Sequence, residues 1–398
     1  MNLNVLYLAH DLSDAAVRRR VVTLQAGGAR VTVAGFQRKD NLLQGEAEVR
    51  SILLGRTADG RLGQRIAAVL KARLSLGRLL RGIEKPDVII ARNLEMLALS
   101  KGASSFFGGV PVVYECLDIH RLLLDDGIKG RLLRGAEASF GRGASLLITS
   151  SPAFIEHYFN TRSGLHLPTL LLENKVLELQ SPAGEGKPRL RPPAPGEPWR
   201  IGWFGAIRCA KSFRILAEFA ARMEGRVEII IRGRPSPREF ADFNSLVAAS
   251  PHVRFHGAYK NPEDLAEIYR EVQFVWAIDF FEEGLNSSWL LPNRLYEGSL
   301  HGAIPIALQS TETGRYLGSR SLGLLMERAN PEELHAHFSA MNADAYTDLF
   351  ESLARVDRAH WVTGPSDCVA LVRQLSLLGV RDAAQPDLTL TSTLQSEG

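Results

Sequence analysis

The chain has 398 residues, 45% of them hydrophobic, which is enough for two domains of ordinary size with full apolar cores. Its 47 Lys and Arg against 44 Asp and Glu leave a net charge of +3, too small for its length to indicate a nucleic-acid binder. Cys116, Cys209 and Cys368 are scattered and form neither a disulfide framework nor a CxxC metal pair, which fits a reducing cytoplasm.

The N-terminus enters a strand at once, NVLYLA, and is soon interrupted by His10, Asp11 and Asp14, so it does not read as a signal peptide. No apolar run approaches the ~20 residues that span a bilayer. Short apolar runs at 5–9, 31–35, 88–91, 110–114, 146–149 and 170–172 alternate with helical patterns. Such alternation predicts a parallel sheet covered on both faces. The stretch SPAGEGKPRLRPPAPGEP at 181–198 cannot hold a helix or a ladder and reads as an interdomain linker. The alternation then restarts, with runs at 201–204, 227–231, 253–255, 274–278, 303–307 and 322–325. The expected organisation is an α/β chain of two Rossmann-like doubly wound domains, 1–180 and 199–360, facing a central cleft. A C-terminal helix over 361–380 packs back on the first domain, and a disordered tail covers 381–398. Ligands of such sheets bind beyond the carboxyl ends of the strands, so the loops that follow the strands are the places to search.

After the first strand, Asp14 is placed to cap a helix whose early turns carry Arg18, Arg19 and Arg20. Asp14 and Arg18 are candidates for the acceptor side, against the plainer reading of a cap and a solvated basic face. At 61–83 a basic, apolar helical pattern sets Leu62, Ile66, Val69, Leu70, Leu76, Leu80 and Ile83 on one face. Arg61, Arg65, Lys71, Arg78 and Arg81 flank it. Such a helix suits an anionic membrane surface, or simply covers the first sheet. After the run at 110–114, Glu115, Asp118 and His120 crowd one loop. A carboxylate or imidazole there could steady positive charge on a substrate or orient an acceptor hydroxyl.

Beyond the linker, WRIGWFGAIRCAKSFRIL reads as strand, glycine turn and helix. Gly205 lets the backbone pass close to a ligand, and Arg208 and Lys211 stand where a diphosphate would rest. Neither G-x-G-x-x-G nor the Walker pattern is present. Arg232 follows the next strand and is a candidate lining for a nucleotide base, as is Tyr259 after the tight turn at Gly257. Asp279, Glu282 and Glu283 follow the run at 274–278 and could meet the hydroxyls of a sugar. Residues 287–307 read SSWLLPNRLYEGSLHGAIPIA. Pro292 suits a first helical turn, Leu295 and Leu300 face a core, and Gly302 ends the helix. Asn293, Arg294 and Glu297 occupy the opposite face. A helix N-terminus with a basic side chain is an anion site, and a glutamate one turn on could accept from two ribose hydroxyls.

With these motifs the chain resembles a GT-B glycosyltransferase over residues 3–375, most similar to the retaining family 4 group and to transferases of succinoglycan-type exopolysaccharide pathways. The resemblance rests on the glycine loop with Lys211, on VRFHG at 253–257 and on PNRLYEGSLHGAIPIA. It implies that Arg208 and Lys211 hold the donor diphosphate and that Glu297 holds the donor ribose. Asp279, Glu282, Glu283 and Asn286 would meet the donor sugar, and Asp118 or His120 would lie near the anomeric carbon. One departure is visible: the family often pairs two glutamates with seven residues between them, and Trp289 stands where the first would be. The implied reaction moves a hexose, in first place glucose from UDP-glucose, to a polyprenyl-diphosphate-linked saccharide with retention. No D-x-D triplet occurs, so no metal and no cofactor are expected. The implied location is cytoplasmic and peripheral on the inner face of the membrane. Two other readings fit the same residues: a GT-B nucleotide-sugar epimerase, and a non-catalytic nucleotide-sugar-binding partner protein.

Overall fold

The computed structural model describes residues 3–38, 49–57, 62–180 and 188–379, with the main chain alone at 62. The expected tail at 381–398, Arg61, the Leu62 side chain and residues 181–187 of the Pro/Gly-rich stretch lie outside the described residues.

The described residues fall into two compact units, those within 1–173, 177–179 and from 363 on, and those within 174–176 and 180–362. The first is built on β1 (Leu3–Ala9), β2 (Ala29–Gln37), β3 (Arg50–Arg56), β4 (Val88–Arg92), β5 (Val112–Cys116), β6 (Leu146–Thr149) and β7 (Thr169–Leu171). They lie in the order β3-β2-β1-β4-β5-β6-β7, and every pair is parallel. Successive strand residues point to opposite faces, so β1 feeds two cores. Val5 and Tyr7 pack with Val17, Val21 and Leu24 of the helix Ala15–Ala26. Leu6 and Leu8 pack with Leu76 of the helix Leu62–Leu79, with Leu80 just beyond it, and with Met96 and Leu99 of the helix Asn93–Phe106.

Two expectations need correction. β3, RSILLGR, was not among the expected strands; as an edge strand it is mostly solvent-facing and ends in charges. The single apolar face expected over 61–83 is also divided. Ala72, Leu76 and Leu80 are buried against the sheet, whereas Ile66, Leu70 and Leu74 face solvent.

The helix Pro365–Ser376 belongs to the first unit and lies against the end of the helix Ala15–Ala26. Gly27 makes this approach possible, since a Cβ there would sit 2.2 Å from the Cys368 carbonyl oxygen. The two-residue strands β8 (Val176–Leu177) and β15 (Val362–Thr363) pair where the chain passes between units.

The second unit carries β9 (Trp199–Ile207), β10 (Val227–Pro235), β11 (Val253–Phe255), β12 (Phe274–Trp276), β13 (Ile304–Leu308) and β14 (Leu324–Met326). Their order is β11-β10-β9-β12-β13-β14, again all parallel. Its core gathers Trp203, Phe219, Phe274, Trp276, Leu295 and Ile306, all nearly inaccessible. The described part of the Pro/Gly-rich stretch is fastened to this unit: Arg191 donates to the carbonyls of Arg270 (2.5 Å) and His301 (3.0 Å). Among the described residues no helix is long and apolar enough to cross a membrane.

One polar network closes the carboxyl ends of β1, β4 and β5. Glu115 is fully buried in β5, not part of the loop that follows it, and accepts from Arg20 Nε at 2.5 Å, Tyr7 Oη at 2.5 Å and Arg92 Nη1 at 3.1 Å. Of the three arginines expected on a solvated face, Arg20 is therefore drawn into the interior. Burial alone would raise the Glu115 carboxyl, but Arg20, Arg92 and the Tyr7 hydroxyl outweigh it and bring it from 4.5 down to about 2. A depressed carboxylate stabilises the fold above its ordinary pKa, and that contribution is lost as pH falls from about 4.5 towards 2. The contribution is on the order of 3 kcal/mol. Glu115→Gln should cost roughly 3–5 kcal/mol at neutral pH, because it strands two buried guanidinium groups. It should also flatten the acid dependence. Urea midpoints of parent and variant at neutral and acid pH test this, and an equally steep acid loss in the variant would overturn it.

Candidate functional site

In the second unit the carboxyl ends of β9, β10 and β12 and the start of the helix Asn293–Leu300 gather most of the expected donor residues. β9 and β10 approach closely at two glycines. A Cβ on Gly233, at φ 139°, would fall 1.8 Å from the Gly205 carbonyl oxygen, so this position admits glycine alone. Gly205 itself has φ 111° and turns β9 toward the loop with Arg208.

Arg208 and Lys211 are both held by the segment after β12. Arg208 Nη2 lies 3.7 Å from Asp279 Oδ2, and its guanidinium stands 4.5 Å from the Phe281 ring centre. Lys211, in the first turn of the helix Ala210–Arg222, donates to both Glu283 oxygens at 2.6 and 2.8 Å. Its ammonium lies 4.4 Å from the Phe280 ring centre. Both cations remain about two-fifths exposed. Arg294 approaches the same Asp279 oxygen at 3.9 Å. Two guanidinium groups thus converge on one carboxylate.

Asp279 also shapes its own loop. Its Oδ1 accepts from the Phe281 N–H at 2.7 Å and from the Ser287 hydroxyl at 3.2 Å. The Ser287 hydroxyl in turn accepts from the Glu282 N–H at 2.9 Å. Asn286 is buried in the turn Asn286–Ser288, and its carbonyl accepts from the Trp289 and Leu290 N–H groups. Asp279, Glu283 and Arg208 are therefore brought together, while Asn286 serves the turn.

The helix Asn293–Leu300 differs in detail from expectation. Pro292 is its N-cap, in extended conformation, one position before the first turn. Leu295 and Leu300 are buried, as is Tyr296, and Asn293 is exposed. Glu297 does not share that exposed face: it is 6% accessible. Asn261 Nδ2 donates to its Oε1 at 2.9 Å and Tyr269 Oη to its Oε2 at 3.0 Å. Asn261 and Tyr269 were missed by sequence reasoning, and no local spacing could have found them, since they come from a different segment. Tyr259 lies beside this group. Burial raises its phenol, and the Glu297 charge raises it further, so it remains a neutral donor.

Arg232 departs from its expected role as a lining for a base. Its Nη2 donates to both Glu271 oxygens at 2.8 and 2.7 Å, which commits the charge to an ion pair.

The remaining candidates belong to the first unit. Asp14 caps the helix Ala15–Ala26 through the Ala16 N–H at 2.8 Å and pairs with His10 Nε2 at 3.3 Å. Burial would raise its carboxyl, but His10, Arg92 and the cap bond hold it well below the carboxylate range. Arg18 is exposed one turn further on. After β5, Asp118 is exposed, and the His120 Nδ1 accepts the Leu122 N–H at 3.2 Å as a helix cap. Burial and the charges of Arg65 and Arg121 lower the His120 pKa, which suits this acceptor form. Among the described residues no cluster of His, Cys, Asp and Glu is arranged to hold a metal ion.

The structure yields one direct check on the Glu297 anchor. Tyr269→Phe should remove a charge-assisted bond to a buried carboxylate and cost about 1.5–3 kcal/mol, measured by urea unfolding. A loss no larger than that of a surface substitution would show that Glu297 does not depend on it.

No family model matches the chain. The succinoglycan biosynthesis protein ExoL of Rhizobium meliloti (strain 1021) is 56% identical over 400 positions, covering 100% of this chain and 99% of that protein. Among solved structures, sucrose-phosphate synthase from Thermosynechococcus elongatus superposes with a TM-score of 0.70 at 13% identity, covering 96% of this chain and 100% of that one. Anabaena HepE, in complex with UDP and glucose, superposes with a TM-score of 0.64 at 16% identity, over 94% and 98% of the two chains. The α/β expectation of paired doubly wound units thus meets the GT-B glycosyltransferase fold, and the chain belongs to the family of the succinoglycan biosynthesis protein ExoL.

Proposed function

We propose that this protein is a retaining hexosyltransferase of exopolysaccharide assembly, taking glucose from UDP-glucose to a polyprenyl-diphosphate-linked saccharide. One observation carries the reading: Arg208 and Arg294 converge on Asp279, while Glu297, one turn along the same helix as Arg294, is fixed by Asn261 and Tyr269. Cations for a diphosphate and a preorganised carboxylate for vicinal hydroxyls then follow one another along a nucleotide. The crystal of HepE with UDP and glucose, and the name of the ExoL relative, support the donor and the pathway.

In this reading the donor diphosphate takes over Arg208 and Lys211 from Asp279 and Glu283. Negative charge grows on the departing UDP as the glycosidic bond breaks, and these cations, with Arg294 and the helix N-terminus, stabilise it. Glu297 accepts from the ribose hydroxyls, with Tyr259 nearby. Asp279, Glu282 and Glu283 are released to meet the sugar. The acceptor belongs to the first unit, where Asp14, Asp118 and His120 stand at the carboxyl ends of β1 and β5. The chemistry asks for no metal, because fixed cations supply the charge that a metal would.

Glu297→Ala should weaken UDP binding at least about ten-fold by calorimetry, measured on protein that still unfolds cooperatively. Unchanged affinity would sink the ribose assignment. Lys211→Ala should lower kcat by roughly 100-fold or more with a smaller effect on KM. Transfer in the presence of EDTA should match transfer without it. Trp289, standing at the family's usual glutamate, favours the rival of a binding partner without catalysis. Tight UDP-glucose binding with no transfer to any lipid-linked acceptor would decide for that rival.

A further inference from the structure

We propose that the outer faces of the helices Leu62–Leu79 and Ile128–Gly141 form one docking surface for an anionic lipid bilayer. Both helices lie in the layer that flanks the helix Asn93–Phe106 in the first unit. The four most exposed large hydrophobic side chains among the described residues are all on these two helices. Leu74 is 91% accessible, Leu132 70%, Ile128 68% and Leu70 58%. Monomeric proteins rarely concentrate their exposed apolar groups in this way without a partner.

The inner faces explain why these groups cannot turn inward. The helix Leu62–Leu79 already spends Ala72 and Leu76 on the sheet. Ile66, Leu70 and Leu74 recur every four residues and form a separate ridge, which Arg78 continues by one more turn. The helix Ile128–Gly141 turns Gly130, Glu137 and Gly141 inward, where Glu137 accepts from Tyr114 Oη at 2.7 Å and from Tyr158 Oη. Ile128 and Leu132, one turn apart, are left on the outside.

Charge decides the occupant. The helix Leu62–Leu79 contains Arg65, Lys71, Arg73 and Arg78 and no acidic residue. The helix Ile128–Gly141 contains Lys129, Arg131 and Arg134, and its single acid, Glu137, is buried between the two tyrosines. Of the neighbouring acids, Glu95 pairs with Arg65 and Asp126 with Arg162, while Asp125 lies before the start of the second helix beside Gly127. An apolar ridge edged by cations on both helices matches acyl chains beneath anionic headgroups, with the long basic side chains reaching the phosphates. A second copy of the chain would set the same cations face to face. This surface lies in the first unit and does not depend on the donor assignment.

The test is co-sedimentation of the full chain with vesicles of phosphatidylcholine, with and without about one third phosphatidylglycerol. The parent should bind the anionic vesicles and lose them at high salt. Leu70→Gln/Leu74→Gln/Leu132→Gln should reduce the bound fraction at least about ten-fold, with an unchanged melting temperature. Lys71→Gln/Arg78→Gln/Lys129→Gln/Arg131→Gln should do the same, and it decides the matter if the first variant is unstable. Parental binding by the folded variants would overturn the proposal. So would light scattering that shows a parental dimer dissolved by the same substitutions, since the face would then belong to a second copy.

Discussion

A carboxylate withdrawn from water must be met by donors, and each unit of this protein is organised around one such group at the carboxyl edge of its sheet. In the first unit Glu115 joins β1, β4 and the helix Ala15–Ala26 through Tyr7, Arg92 and Arg20. In the second, Glu297 joins the helix Asn293–Leu300 to Asn261 and Tyr269. The two serve different ends. Glu115 has no accessible surface and three charged or hydroxyl donors, so it is structural. Glu297 has two donors for two oxygens and lies a helical turn from Arg294. It is a fixed carboxylate near the helix start, beside the cations of the second unit.

The cationic pole of the second unit is arranged otherwise. Arg208 and Lys211 are each held between a carboxylate and an aromatic ring contributed by five consecutive residues, Asp279 to Glu283. Exposed ion pairs of this kind hold little free energy, commonly below about 1 kcal/mol. They keep two cations oriented without desolvating them, and they yield readily to a stronger anion. Buried Glu297 and half-exposed Lys211 therefore divide the labour: one is preorganised, the other exchangeable.

The parallel sheets were legible because their central strands are continuous apolar runs, bounded by the turns and helices of an α/β alternation. The edges were not. β3 shows one strongly buried side chain in seven and ends in arginine, so its pattern resembles a loop. The helix Leu62–Leu79 was read as one apolar face, yet its leucines divide between the sheet and solvent. Periodicity counts apolar side chains but cannot tell which of two adjacent ridges meets the core. The same limit appears at Arg18, Arg19 and Arg20, where spacing does not reveal that Arg20 meets the buried Glu115.

The sequence by itself determined the alternation of strands and helices and the motif that sets Arg294 and Glu297 one turn apart on a helix. These are local properties, written in spacing and in turn chemistry. Only the tertiary structure decided that Glu297 is buried and held by Asn261 and Tyr269. It alone showed that Arg232 is spent on Glu271, and that Arg208 and Arg294 meet at Asp279. Those contacts join residues tens of positions apart, brought together because parallel crossovers deliver every strand's carboxyl end to the same edge of the sheet. Which donors meet which acceptor there depends on register and packing, and neither is encoded in any single segment.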